Sequence, residues 1–298
     1  MRDWFNRTGW RDLIIATPYA WLIVFFLIPF LIVVVMSLAI MKSASPPFGF
    51  HEAFPWIDLG NFARLFQDTL YIRAFVSSLL NALIATLLCL LIGYPMALGI
   101  TRVSKSWRNI LLMLVILPFW TSFLLRVYAW IGMMGSNSWF NKLLTSIYNF
   151  AVPGEWALKS IPMMNTSFAV VLVMVYSYLP FMILPLYANL ARMDLTLLEA
   201  AADLGCRATR AFLRITLPLS LPGIVAGSML VFIPVVGEFV IPDLLGGPDN
   251  LMVGRMLWTE FFGNKDWPLA SAIAILLLVV LVVPFVLMER WQQRLERE

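Results

Sequence analysis

The sequence predicts an all-α integral membrane protein, with six membrane-spanning helices and both chain ends on the cytoplasmic side. Three observations predict this. Of 298 residues, 61% are apolar and only 13% are charged, and mean hydropathy is +0.85, whereas soluble domains carry about 25% charged residues. The apolar residues gather into six runs, each near the roughly 20 residues needed to cross a bilayer. The segments between the runs alternate between rich and poor in lysine and arginine, which is the signal that orients membrane helices.

The first run, about 13–40, follows Arg2, Arg7 and Arg11. It is much longer than the apolar stretch of about 7–15 residues in a cleaved signal peptide, so it reads as a retained span. Pro18 and Pro29 interrupt it, which membrane helices tolerate where neighbours satisfy the freed carbonyls. The second and third runs, about 75–100 and 110–134, flank a short loop bearing Arg102, Lys105 and Arg108. The fourth covers about 168–191, the fifth 221–241 and the sixth 269–288, followed by Arg290, Arg294 and Arg297. The polar stretch 192–220 carries Arg192, Arg207, Arg210 and Arg214. The opposite segments are longer yet hold only Lys42, Arg64, Arg73, Lys142, Lys159, Arg255 and Lys265. The basic excess places the termini, the loop after span two and the stretch 192–220 on the inside. Segments 41–74, 135–167 and 242–268 then lie outside. Trp56, Trp139, Trp156, Trp258 and Trp267 fall there, where indole rings favour the interface. These segments suit either a soluble delivery protein or simple capping of the bundle. No low-complexity tract or linker divides residues 1–298, which read as one transmembrane domain.

The stretch 192–220 is polar between two apolar runs. Acidic residues early and arginines late suit the dipole of a short helix. Gly205 is a natural stop, and Pro218 and Pro222 end one helix and admit the next. The local expectation is a short surface helix, a turn, a second short helix and re-entry into a span.

No enzymatic constellation is present. There is no G-x-x-x-x-G-K-[ST] phosphate loop, no Cys/His cluster, no nucleophile elbow and no paired carboxylates on a helix. Cys89 and Cys206 fall in different layers, so neither a disulfide nor a metal site is expected, and His51 reads as a loop residue. The chain is read as non-catalytic, without a cofactor of its own. Its energy must come from another subunit or an ion gradient.

Two ionisable residues fall inside predicted spans, which is costly. At about 1.5 Å per residue, Arg126 and Glu238 both lie roughly 22–24 Å from the inner face. Opposite charges at one depth suggest a buried ion pair. Alternatively Glu238 faces a translocation path and attracts a cation. Pro234, Gly237 and Pro242 bracket it, and Asp243 could reach the same vestibule. Trp120, Tyr128, Tyr176 and Tyr178 lie at compatible places, and ring faces attract ammonium groups. Carboxylates with rings suit an organic polycation, although helix packing also accounts for each ring singly.

Glu199-Ala200-Ala201, three residues, Gly205, nine residues, Ile215, one residue, then Leu217-Pro218 is a pattern that resembles the cytoplasmic loop of permease subunits of bacterial ABC importers. The string from Leu117 to Trp130, which includes Trp120, Arg126 and Tyr128, and the string from Val235 to Pro248, which includes Glu238 and Asp243, resemble spans three and five of polyamine permeases. Asn61-Phe62 and Asp266-Trp267-Pro268 fit as well. The resemblance covers nearly the whole chain. It implies the six-helix type I importer permease fold in a bacterial inner membrane. Glu199, Ala200, Ala201, Asp203, Gly205, Ile215, Leu217 and Pro218 would form a coupling helix that docks in a cleft of an ATPase. It also implies partners: a homologous second permease, an ATPase homodimer that binds ATP and Mg, and a periplasmic polyamine-binding protein. Putrescine is the expected substrate, with spermidine as the second. The competing readings are a permease of the same machine for a sugar, sulfate or iron, and an ion-coupled secondary transporter working alone. The second of these would call for relaying charges or internal repeats.

Overall fold

In the computed structural model, residues 8–42, 45–50, 57–152, 158–248 and 250–295 are described. Arg2, Arg7, His51, Trp56, Trp156 and Arg297, and the side chains of Arg11, Arg290 and Arg294, lie outside that description. The described residues form two compact units, one from the two chain ends (up to 72 and from 256) and one from 73–255.

In the first unit, α1 (Thr8–Leu22) runs through a π-helical turn (Ile23–Leu27) into α2 (Ile28–Ser37). From Ile14 onward the rod is apolar, and Ile14, Tyr19, Trp21, Phe25 and Phe26 are exposed, a surface suited to hydrocarbon rather than water. A small hairpin, β1 (Ile40–Met41) against β2 (Phe48–Gly49), follows, then α3 (Gly60–Gln67). Asn61 Nδ2 donates to the Ser37 and Ala39 carbonyls at 3.1 and 2.7 Å, satisfying acceptors at the end of α2. The long α15 (Trp267–Leu295) packs along α2 and α3. A π-helical turn (Thr259–Gly263) precedes it. There Glu260, buried, accepts from the Tyr71 hydroxyl at 2.9 Å and from Asn264 Nδ2 at 2.8 Å.

The second unit begins with most of α4 (Thr69–Arg102). Next come α5 (Lys105–Ile116), a 3-10 turn (Leu117–Trp120), α6 (Phe123–Met134), α7 (Trp139–Ala151) and α8 (Ser167–Leu190). They are followed by α9 (Thr196–Asp203), α10 (Ala208–Ala211), a π-helical turn (Phe212–Thr216), α11 (Leu217–Leu219), α12 (Leu221–Val236), α13 (Val240–Leu245) and α14 (Val253–Trp258). The core is α8 against α12. A Cβ at Gly227 would lie 3.1 Å from the Met182 carbonyl, and one at Gly223 would lie 2.8 Å from Asn189 Cβ. Small residues let the two backbones close, the usual basis of helix packing where lipid removes the hydrophobic drive. Val173, Met174, Met182, Ile183, Leu186, Val231 and Val235 fill the seam. Outside the core, Asn141 on α7 bonds the Met134 and Ile161 carbonyls at 3.2 and 2.9 Å and accepts from Ile161 N–H at 3.1 Å, tying the segment after α6 into order.

Among the described residues, three helices are long and apolar enough to cross a membrane: Ile14–Ser37, Thr69–Arg102 and Ser167–Leu190. Two further apolar segments are bent pairs, α5 with α6 at 90° and α10–α11 with α12 at 62°. Trp267–Val283 is a shorter apolar stretch. The run expected as a third span over 110–134 is broken within its length. Pro118 starts a 3-10 turn, extended Thr121 and Ser122 interrupt the helix, and the chain turns a right angle. Sequence position within that segment does not measure depth.

Candidate functional site

Two places in the second unit carry the residues singled out from the sequence. The first is the polar stretch after α8. Asp194 Oδ1 accepts from Thr196 N–H at 3.0 Å and so opens α9. That bond, from backbone and side chain of Thr196, holds the Asp194 carboxyl below its ordinary pKa. Leu204 is the last residue near helical geometry, and Gly205 follows at φ +75°. Gly205 N–H reaches the Ala202 carbonyl at 2.8 Å, and Cys206 N–H reaches the Ala201 carbonyl at 2.9 Å. This pair of bonds is the Schellman stop, which requires a left-handed residue that glycine supplies without a Cβ penalty. The expected helix, turn and second helix are all present. Glu199, Ala200, Asp203, Gly205 and Pro218 are exposed, Ile215 and Leu217 half-buried, and Ala201 buried. Missed from sequence is the apolar character of the tip. Leu204 is 88% exposed, and Leu195, Leu197 and Leu213 are exposed too. Their interleaving with charged residues was the available signal.

The second place is the break between α12 and α13. Gly237 ends α12, and Glu238 is buried. Its Oε1 accepts from the backbone N–H groups of Phe239, Val240 and Ile241 at 3.1, 2.9 and 3.4 Å. Its Oε2 accepts from the Tyr178 hydroxyl on α8. The carboxylate thus caps the free donors at the start of α13. A Cβ at Gly254 of α14 would lie 2.7 Å from the Glu238 carbonyl oxygen, so that glycine permits the close packing that locks the break. Val253 N–H donates to Ser78 Oγ at 2.7 Å, and Ser167 Oγ donates to Asn250 Oδ1 at 2.7 Å. Ser78, Ser167 and Gly254 had no signal in sequence, because their partners are remote in the chain.

The ion pair expected between Arg126 and Glu238 is not formed and is corrected. Glu238 is engaged by its own backbone and Tyr178, and the bend at Thr121–Ser122 removes the equal-depth reasoning. Arg126 instead lies with its guanidinium carbon 5.4 and 5.6 Å from the ring centroids of Phe119 and Phe123, a cation–π arrangement. Its buried Nε and NH1 have no hydrogen-bond partner. Phe119 meets Phe181 edge-on at 5.0 Å, and Phe181 lies 6.2 Å from the Tyr178 ring. A line of rings therefore connects the arginine to the carboxylate's partner. Asp243 pairs with Arg255 at 3.1 Å. Trp120 and Tyr128 are 74% and 56% exposed, and Tyr176 packs edge-on against Trp130. Of the six residues named for a path, the structure joins Glu238 and Tyr178 directly. Among the described residues the other four make no hydrogen bond or ring contact to either.

This arrangement of long and broken apolar helices with a polar loop between two of them is shared with known proteins. Residues 89–297 match the family model described as binding-protein-dependent transport system inner membrane component. The chain belongs to that family. It is 38% identical over 288 residues to the spermidine/putrescine transport system permease protein PotB of Haemophilus influenzae, covering 97% of this chain and 96% of that one. It is 38% identical over 267 residues to the protein of the same name from Escherichia coli K12, covering 90% and 92%. The fold matches the crystal structure of a bacterial ABC transporter involved in alginate import at a TM-score of 0.68 and 21% identity, over 99% of both chains. A second match at 0.68 and 20% identity, over 99% of this chain and 96% of that chain, is to such a transporter in complex with an alginate-bound periplasmic protein.

Proposed function

We propose that this chain is the membrane permease subunit of an ATP-driven importer of polyamines, putrescine first and spermidine second. The observation that carries the coupling half of this reading is the projecting tip of α9, stopped by Gly205 and bearing an almost wholly exposed Leu204. An apolar knob among polar residues has no partner within the described chain and suits insertion into a cleft of an ATPase homodimer. Glu199, Ala200, Ala201, Asp203, Ile215, Leu217 and Pro218 set its shape. The polyamine half is supported by the names of the permeases it resembles at 38% identity, against a sugar, sulfate or iron cargo.

In this reading residues 1–298 form one transmembrane domain of six spans, the bent pairs counting as one each. Both termini and α9 face the cytoplasm of a bacterium, across its inner membrane. A homologous permease completes the pathway, a periplasmic polyamine-binding protein delivers the cargo, and ATP and Mg act only in the partner ATPase. Motion of the ATPase bears on α9 and shifts a two-state permease between its inward and outward forms. The cargo passes near Glu238 and Tyr178, with Asp243, Trp120, Tyr128 and Tyr176 along the same route. The test is ATP hydrolysis by the reconstituted complex. Putrescine-loaded binding protein should stimulate it, and a sugar-loaded one should not. Equal stimulation by both would overturn the polyamine assignment.

A further inference from the structure

At the inner end of the second unit, the close of α4 and the start of α5 meet the entry to α9 around a cavity of about 520 Å³. Thr101, Arg102 and Arg108 supply its polar part, and Leu98, Leu195 and Leu198 its apolar part. Arg108 NH2 donates to the Thr101 carbonyl at 2.8 Å. That bond anchors the guanidinium on the last turn of α4 and offsets the negative end of the helix dipole. Arg108 Nε is buried with no hydrogen-bond partner. A buried donor without an acceptor is costly in a folded protein, and here it belongs to a group built to bind anions. The adjoining Trp107 is 62% exposed, as suits a ring at the water–bilayer boundary.

We infer that this cavity is a binding site for a phosphate-bearing anion, and specifically for the headgroup of an anionic phospholipid. Two arginines match a phosphodiester, and the leucine-rich half matches the first carbons of an acyl chain. A free inorganic phosphate satisfies only the first of these. Basic pockets between membrane helices at the cytoplasmic boundary are favourable lipid sites. The choice of leaflet rests on the orientation proposed above, while the site itself does not. A lipid held here would touch the α4–α5 elbow and Leu195 and Leu198 together, and so stiffen the base from which α9 projects.

The test is native mass spectrometry of the full-length chain released from nanodiscs of either dioleoylphosphatidylglycerol or dioleoylphosphatidylcholine. The chain should retain the anionic phosphatidylglycerol in preference. Arg108→Gln and Arg102→Gln should each lower that retention by about tenfold, the size of one lost charge-assisted hydrogen bond. Arg73→Gln, away from the cavity, should not. If Arg108→Gln fails to fold, the exposed Arg102 still decides the matter. Equal retention of both lipids, or retention unchanged in Arg102→Gln, overturns the site. Displacement of the lipid by millimolar inorganic phosphate overturns the lipid assignment and makes it a soluble-anion site. Neither ATP nor polyamine enters the measurement, so its failure is separate from any failure of the proposed transport.

Discussion

The segment around α9 and the break at Glu238 are built in opposite ways. Around α9 the defining bonds are local: Asp194 to Thr196, Ala202 to Gly205, Ala201 to Cys206. Most side chains from 194 to 205 are exposed, with Leu204 bare and Ala201 buried. At the break the cap of Glu238 on residues 239–241 is local, but the bonds that fix the break in place reach across the chain: Tyr178 to Glu238, Ser78 to Val253, Ser167 to Asn250. There the side chains are turned inward, and Glu238 is buried. One region presents a shape and the other holds one. A substitution should therefore act on partner contact at α9 and on the fold itself at the break.

The largest effect should come from Glu238. Glu238→Ala leaves the Tyr178 hydroxyl and the first N–H groups of α13 without their acceptor. Lost caps and buried unpaired groups together cost about 2–4 kcal/mol. Thermal unfolding of the detergent-solubilised chain should shift down accordingly, and uptake should disappear. Glu238→Gln keeps an acceptor oxygen for α13 and removes only the charge. Its unfolding midpoint should stay near the parent while polyamine uptake falls. Normal uptake by the Gln variant removes the carboxylate from the path and leaves it a cap. An unshifted midpoint in the Ala variant would break the contrast, because the long-range bonds would then hold nothing.

An intermediate effect belongs to Gly205. A Cβ there meets no atom within 4 Å, so the penalty is conformational. A residue other than glycine at positive φ loses about 1–2 kcal/mol, less for Asn. Gly205→Asp should therefore fold, yet hydrolyse ATP in the assembled complex without matching transport. Gly205→Asn should be milder on both counts. Leu204→Asp sharpens the point, since it leaves the turn untouched. Loss of ATPase association in Leu204→Asp with an unchanged midpoint assigns docking to the exposed leucine. Full coupling in both Gly205→Asp and Leu204→Asp would remove the docking role.

The same contrast explains what could be read before the structure. The α9 segment was legible because its bonds join residues two to five apart, so composition and spacing carry the geometry. The long apolar runs were legible for the same reason, and α4 and α8 fall where hydropathy puts them. The right-angle bend after Trp120 was not, although Pro118 stood in view, because a proline in an apolar run signals a kink without its size. Glu238 was singled out as a buried charge, and of the two readings left open for it the ion pair with Arg126 is not formed. Charge complementarity pointed to Arg126, and a sequence cannot weigh that against three backbone N–H groups freed by a helix break. Glu260 was passed over altogether. Its partner Tyr71 is 189 residues away, and only an acid stranded among Trp258, Phe261 and Phe262 hinted at burial.

The smallest effect tests how local α9 is. The Asp194 carboxyl sits below its ordinary pKa because Thr196 hydrogen-bonds its charged form. A lowered folded pKa means that the cap contributes fully above the unfolded value, about pH 4, and is lost as pH falls through the lowered one. The group is fully exposed, so solvent screens it and the contribution is slight. Hydrogen exchange over peptides spanning 194–205, corrected for intrinsic rates, should be flat from pH 7 to about 5 and should rise only below about pH 4. Asp194→Asn keeps an acceptor oxygen and should match the parent, whereas Asp194→Ala should exchange faster in this segment alone. Loosening already between pH 7 and 5 would show that another titrating group controls α9. The order of that segment would then not be local, and the line between the two regions would fail from its weaker side.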